Sequence, residues 1–344
     1  MKNSREQSIS KLTALWALSE CGLGGVLHAL KIPVTGFVLG AFSIIILFFI
    51  ARYSDKVWKD ILKATLIVLL VKFTISPHTP VPAYIAVGFQ GLMAAVLFST
   101  IGTYRTATVL LGFITMVESA LQKILVMTFI FGESIWKAFD VYISSILKSW
   151  RILEGVSNAY AIAGIYVLLY GTWGIFIGYK TTGIFSKVNA EADDVLTQYA
   201  RLNHTDINLD KPVVKQNKKK QLMIQLTGML LLIVIAYFFS NNQSGIGYIL
   251  LRSISVVLFF YFVLMPLLKW AVQKLFYKKS VQHRAAITHT IEEVNTLRKG
   301  IKPAYQLASV KNNRLKRFFY FVQIMITLSL YGQSTSNETI TTNV

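Results

Sequence analysis

The chain has 344 residues, of which 54% are hydrophobic and only 15% are charged, yet its formal net charge is +19. Soluble domains carry about 25% charged residues, and a chain this apolar cannot bury its hydrophobic side chains and still present a charged surface. The composition excludes a secreted domain, a fibrous protein and a disordered protein, and it argues against a basic nucleic-acid binder. It fits a polytopic membrane protein, whose few charges lie in loops on one side.

Apolar stretches of bilayer-spanning length, about 20 residues, recur along the chain. They predict spans near residues 11–30, 33–51, 59–76, 82–101, 106–131, 159–179, 222–240 and 245–273, with a weaker ninth near 317–332. The predicted fold is therefore an all-α transmembrane bundle of six N-terminal spans with two or three more. We divide it into a six-span bundle at 1–182, a basic cytoplasmic linker at 183–221 and a C-terminal membrane extension at 222–344.

The loop charges predict the topology. The segment 180–221 carries eight Lys or Arg residues and the segment 274–317 carries eleven, whereas the loops near 77–82 and 240–246 carry no formal charge. The positive-inside rule then places the N-terminus inside. The membrane that we expect is a bacterial cytoplasmic membrane. The C-terminus lies outside if nine segments span and inside if the ninth is interfacial.

Two segments place apolar residues at helical spacing among charged ones. Residues 133–153 predict an amphipathic helix at the outer interface, and residues 280–299 predict an amphipathic cytoplasmic helix within the C-terminal extension.

Glu118 lies inside the fifth predicted span, with Gln122 one helical turn later. Ionisable groups at that depth are costly and usually face a bundle interior or a cavity. Glu118 is therefore a candidate contact for a substrate or an ion. The alternative is that Lys123 beside it, or Lys72 of another span, neutralises its charge.

Three further candidates come from the first and fourth spans and the loop before the fourth. Glu20 in the first span, like Glu118, is either a contact for a substrate or an ion or a charge that another side chain neutralises. Gln90 in the fourth span either hydrogen-bonds to a ligand or links two helices by a hydrogen bond. The loop at 76–84 contains three of the seven prolines together with His78 and Tyr84. Such a loop is stiff, and it forms either a lid over an outward cavity or a rigid connector.

Small residues recur every four positions in the first span, a spacing that lets another helix approach closely. They are Ala17, Cys21, Gly25 and Ala29. The partner helix belongs either to the same chain or to another subunit.

No enzyme motif is found: the sequence has no His-Glu-x-x-His, no phosphate-binding glycine loop and no nucleophile elbow. Its single cysteine, Cys21, excludes an intramolecular disulfide. We therefore expect a protein that is not an enzyme and that needs no metal or cofactor.

About the first 180 residues resemble the substrate-binding S components of energy-coupling factor transporters. The resemblance rests on six spans, the small-residue stripe of the first helix, the Lys-Ile-Pro-Val-Thr-Gly of 31–36, and the proline-rich loop leading into 83–92. It implies an outward cavity for a vitamin or a metal-related substrate. It also implies that Ala17, Cys21, Gly25 and Ala29 dock on a transmembrane coupling subunit.

The function expected is a membrane subunit that binds a small solute for uptake, energised by a separate ATPase module. The alternative is a non-catalytic scaffold or accessory subunit of a larger membrane complex. In either case we expect contact with membrane lipids and a membrane-protein partner, but no nucleic acid. Basic residues that would meet anionic lipid or a partner are Lys218, Lys219, Lys220, Arg314, Lys316 and Arg317.

Overall fold

The structure is a computed structural model, and it describes residues 2–23, 35–75, 79, 81–146, 158–203, 267 and 283–332. Every regular element in that part of the chain is helical, which confirms the all-α prediction. Ten α-helices are described: α1 Lys2–Leu18, α2 Thr35–Tyr53, α3 Val57–Ile75, α4 Val81–Thr100, α5 Tyr104–Phe131, α6 Glu133–Ile146, α7 Asn158–Ala190, α8 Ala192–Asn203, α9 Arg284–Ser309 and α10 Arg314–Tyr331. A π-helical turn, Ser19–Leu23, continues α1.

Four of these helices are long and apolar enough to cross a membrane: α2, α4, α5 and α7. Three predicted spans do not meet that description, and one of them is the ninth, because the 18 residues of α10 include Arg314, Lys316 and Arg317. The α-helical part of the first is α1, which has 17 residues and a polar first half, and α3 carries Lys59, Asp60, Lys63 and Lys72. The predicted spans 222–240 and 245–273 lie outside the described residues, apart from residue 267.

Helix α2 is apolar on every side, as expected for a helix enclosed by others. Its residues from Ile44 to Ile50 are at most 3% exposed. The helix ends at Tyr53, and the turn into α3 is held by Asp60, whose carboxylate accepts from the Ser54 hydroxyl at 2.7 Å and the Lys56 amide at 3.2 Å. This turn returns the chain antiparallel to α2.

The described residues form two compact units. The first comprises residues 1–122, 164–206 and 272–344, so it joins segments from both ends of the sequence. In it, α1 packs against α2, α3, α9 and α10. Residues 284–331, which fall in the predicted C-terminal extension, thus share a core with the N-terminal helices.

The first unit has two opposite ends, and each has a cationic side chain close to an aromatic ring. At the Arg52 end, the Arg52 guanidinium lies 4.8 Å from the Tyr104 ring and 5.0 Å from the Phe185 ring, and Arg5 pairs with Asp55. At the opposite end, Lys72 near the end of α3 lies 5.9 Å from the ring of Tyr84 in the first turn of α4. We call it the Lys72 end.

Glycines bring α5 and α7 into backbone contact. A Cβ on Gly112 would overlap the Gly174 carbonyl, and a Cβ on Gly174 would overlap the Gly112 carbonyl. A Cβ on Gly178 would lie 2.6 Å from Cα of Val109. Small residues at such spacing are the usual basis of close helix packing in membranes.

The second unit comprises residues 123–163 and 207–271. Within it, Gly132 at φ 67° turns the chain from α5 into α6, and the Trp136 indole donates to the Thr128 hydroxyl at 3.0 Å. Asp140 accepts from the Ala159 amide at 2.8 Å, at the start of α7. The prediction of a helix at 133–153 is confirmed for 133–146, and the helix predicted at 280–299 is found as α9.

Candidate functional site

A chain of hydrogen bonds crosses the interior of the first unit. The Trp16 indole donates to the Ser43 hydroxyl at 3.0 Å, and that hydroxyl donates to Glu20 Oε1 at 3.0 Å. Lys72 Nζ donates to Glu20 Oε2 at 2.7 Å. We call Trp16, Ser43, Glu20 and Lys72 the buried polar network.

The Glu20–Lys72 ion pair is removed from solvent, since the side chains of Lys72 and Glu20 are 4% and 5% exposed. Burying one charge alone would be very costly, and pairing with added hydrogen bonds offsets that cost. Glu20 is thus neutralised by Lys72, and Ser43 satisfies its second oxygen. Lys72, one of the two possible partners of Glu118, instead pairs with Glu20.

The π-helical turn gives Glu20 its position. An extra residue in the turn rotates the following side chains relative to a regular α-helix, and such turns occur frequently at functional sites. Ser19 begins the turn and its hydroxyl donates back to the Trp16 carbonyl at 2.8 Å. The turn contacts both α2 and α3, the helices that carry Ser43 and Lys72.

The first turns of α4 and α2 both contact α5. Gln122 of α5 donates to the Pro82 carbonyl at the start of α4 at 3.0 Å. A Cβ on Gly36, at the start of α2, would lie 3.0 Å from the Ser119 hydroxyl. Glu20, Tyr84 and Gln122, all predicted from the sequence, therefore lie at the Lys72 end.

Two buried oxygens have no hydrogen-bond partner in the described part of the chain: Gln90 Oε1 and Glu118 Oε2. Gln90 is 6% exposed. Because α4 and α5 are antiparallel and Gln122 bonds to Pro82, Glu118 lies about one turn, or 6 Å, deeper along α5. The same register places Gln90 two turns, or about 12 Å, below Pro82, which is about one turn deeper than Glu118.

The small-residue stripe is only partly described. Ala17 is fully buried in the core of the first unit and Cys21 is half-buried. Gly25 and Ala29 lie outside the described residues, as do His78 and Lys218, Lys219 and Lys220.

The other predicted basic residues begin α10. Asn313 caps that helix by accepting from the amides of Leu315 and Lys316. Arg314 and Lys316 are exposed, and Arg317 donates to the Lys311 carbonyl at 3.2 Å.

A separate cavity of about 200 Å³ opens between α1, α3 and α9 at the Arg52 end. Its polar lining includes Glu6, Asp60, Lys63 and Thr290. Of the sequence-predicted site residues that the structure describes, none lines this cavity.

Sequence reasoning did not assign Lys72, Ser43 or Trp16 to a site. Lys72 had a detectable signal, because it is a single lysine that follows six consecutive apolar residues, 66–71. Ser43 and Trp16 had none, because serine and tryptophan are ordinary residues of membrane helices.

Comparison with protein-family models, with curated proteins and with solved structures gives no significant match. The likeness to S components is therefore a resemblance of sequence features alone.

Proposed function

We propose that this protein is a multi-pass membrane subunit that binds a small polar solute at the Lys72 end, in the manner of an S component. The observation that carries the proposal is that two buried oxygens, Gln90 Oε1 and Glu118 Oε2, have no hydrogen-bond partner among the described residues. An unsatisfied buried polar group costs about 1–3 kcal/mol. A solute with N–H or O–H donors removes that cost when it binds between them.

The buried polar network supports the same location. It fixes the π-helical turn of α1 against α2 and α3, so the wall behind the solute is rigid. A preorganised wall reduces the entropy lost on binding. Tyr84 adds an aromatic surface above Lys72 at the start of α4.

In this proposal, other subunits supply the energy for uptake. The protein binds and releases the solute, while a separate coupling subunit and its ATPases change the conformation. The proposed orientation has the N-terminus inside the bacterial cytoplasmic membrane and six N-terminal spans with two or three further ones. The charge of the helix-joining turns supports this orientation, because Lys56, Lys59 and Arg105 all lie at or beside turns of the Arg52 end.

The test is to purify the protein in mild detergent and to identify released small molecules by mass spectrometry. Wild type is expected to carry a solute in near-stoichiometric amount, and the Gln90→Leu variant is expected to carry at least tenfold less. Gln306→Leu is the matched control, since Gln306 is exposed on α9. Equal occupancy in wild type and Gln90→Leu would refute this site.

The second candidate function is that of a non-catalytic scaffold subunit. The exposed basic side chains of α9 and α10 support it. Exposed side chains on these helices include Arg298, Lys299, Arg314 and Lys316, which could meet an acidic partner. Affinity purification from native membranes separates the two functions. ATPase subunits in the purified complex favour uptake, while a stable complex without ATPases and without solute favours the scaffold.

A further inference from the structure

We propose that the cavity between α1, α3 and α9 at the Arg52 end binds a zwitterionic metabolite of amino-acid size. In this proposal Lys63 holds the carboxylate of the ligand, while Glu6 and Asp60 hold its ammonium group. The proposal is independent of the solute site, which involves Gln90 and Glu118 of α4 and α5.

Three helices form the walls of the cavity, and each contributes one stripe of side chains. The lining runs from Glu6 to Thr13 on α1 and from Asp60 to Ile67 on α3, and α9 adds Thr290. The lining residues of each helix lie three or four positions apart, so they share one helical face. The cavity holds about 200 Å³, less than the roughly 300–1,000 Å³ of pockets for drug-sized ligands. It therefore suits a smaller metabolite.

The cavity is charged at its mouth and closed at its base. Helices α1 and α3 run side by side in the same direction, since ion pairs join them near both ends. Glu6 and Lys63 are exposed, whereas Thr13, about 10 Å deeper along α1, is buried. Ala64 and Ile67 are buried apolar residues of the lining. A ligand therefore enters from the aqueous phase, and its apolar part meets the base of the cavity.

The charged side chains of the cavity do not neutralise one another. Among the described residues, no ion pair includes Glu6, Asp60 or Lys63. Asp60 uses Oδ2 for its hydrogen bonds with the Ser54 hydroxyl and the Lys56 amide, so its Oδ1 remains for a ligand. Charges of both signs that line one small cavity are satisfied by a molecule that carries both signs.

The buried hydroxyls of the lining are acceptors for a ligand. Thr13 donates its hydroxyl proton to the Ile9 carbonyl, and Thr290 donates to the Ala286 carbonyl, both at 2.7 Å. Each hydroxyl oxygen can then only accept. An ammonium group has three donors, which suit these oxygens and the two carboxylates. A carboxylate has only acceptors, so Lys63 is the lining charge that it fits.

This lining fits a zwitterion better than a simple amine. A simple amine satisfies the two carboxylates but places a like charge near Lys63. An amino acid satisfies the carboxylates and Lys63 together, and an apolar side chain on it packs against Ala64 and Ile67.

The experiment first screens the common amino acids against the full-length protein in detergent, by thermal shift. The dissociation constant of the strongest ligand is then measured by isothermal titration calorimetry. Wild type is expected to bind at least one amino acid, and to bind the amine and the acid with the same carbon skeleton at least tenfold more weakly. This comparison uses wild type throughout, so it does not depend on the folding of a variant.

Variants of the mouth locate the site. Glu6→Gln and Lys63→Gln are each expected to weaken binding of the amino acid at least tenfold, and thermal unfolding checks that the fold is retained. The matched control is Lys59→Gln with Glu292→Gln, which changes exposed residues of α3 and α9 outside the cavity. The control is expected to bind like wild type. Gln90→Leu is also expected to bind like wild type, because it alters only the solute site.

Any of four results would overturn the proposal. The first is that no amino acid binds. The second is equal affinity for the amino acid and its amine analogue, which would identify a cation site. The third is an affinity that is unchanged in the Glu6 and Lys63 variants or is equally weakened in the control. The fourth is a loss of binding in Gln90→Leu but not in Glu6→Gln, which would place the amino acid in the solute site.

Discussion

Among single residues, Lys72 is a buried lysine whose charge is balanced by the carboxylate of Glu20. A lysine among six apolar residues indicates a buried charge that needs a partner. The partner could not be predicted, because Glu20 is 52 residues away and Glu118 was equally available. The choice depends on the π-helical turn after α1, a local geometry for which the sequence has no marker.

Removing one partner of the buried ion pair is expected to destabilise the protein more than removing the charges of both partners. Lys72→Met leaves the Glu20 carboxylate buried without its cation, at a cost of about 3–5 kcal/mol. Combining it with Glu20→Gln removes both charges and is expected to recover most of that loss. The measurement is thermal unfolding of the variants in lipid nanodiscs.

The exposed pair Arg5–Asp55 provides the control for that experiment. Neutralising it with Arg5→Gln and Asp55→Asn is expected to cost about 0–1 kcal/mol, as is usual for surface pairs. A Lys72→Met variant as stable as this control would show that the buried pair contributes no stability.

Gln90 and Gln323 are both buried glutamines, but they have opposite environments. Gln323 donates to Glu191 at 2.7 Å, whereas Gln90 Oε1 has no partner in the described residues. Gln90→Leu is expected to raise the melting temperature of solute-free protein, since an unsatisfied group is replaced by an apolar one of similar size. Gln323→Leu is expected to lower it. A lower melting temperature for Gln90→Leu would mean that protein atoms satisfy Gln90.

At the scale of helices, apolar and amphipathic spacing predicted most of the described elements. The helices at 35–53, 81–100, 104–131 and 284–309 follow from their side-chain patterns. The contacts between them were harder to predict. The small-residue stripe predicted a close helix contact at α1. Glycines 112, 174 and 178 instead form a close contact between α5 and α7.

The glycine contact predicts different effects for two alanine substitutions on the same helix. Gly174→Ala is expected to destabilise the protein by about 1–3 kcal/mol, because its Cβ overlaps a backbone carbonyl of α5. Gly183→Ala meets nothing within 4 Å and is expected to stabilise the helix slightly. Unfolding in detergent compares them, and equal stability of the two variants would disprove the contact.

At the scale of the whole chain, the sequence predicted a division near residue 182, with the C-terminal part as an extension. The structure brings α9 and α10 onto α1 in the first compact unit. Charge and hydropathy vary along the sequence, so they show where composition changes. They do not show which distant segments share a core.

The packing of α10 on α1 can be tested by cross-linking. The Ser329 hydroxyl donates to the Lys11 carbonyl at 3.0 Å, although the residues are 318 positions apart. In a Cys21→Ser background, Lys11→Cys with Ser329→Cys is expected to react efficiently with a short bifunctional thiol reagent. Single-cysteine variants are the control, and failure to form an intramolecular product would contradict this packing.

The proposed function requires that a small solute binds to both Gln90 and Glu118. An electron cryo-microscopy map of the native protein in lipid, at a resolution that shows side chains, tests it most directly. Solute-sized density is expected within hydrogen-bonding distance of Gln90 Oε1 and Glu118 Oε2. A map in which both oxygens bond to protein groups, with no such density between them, would contradict it.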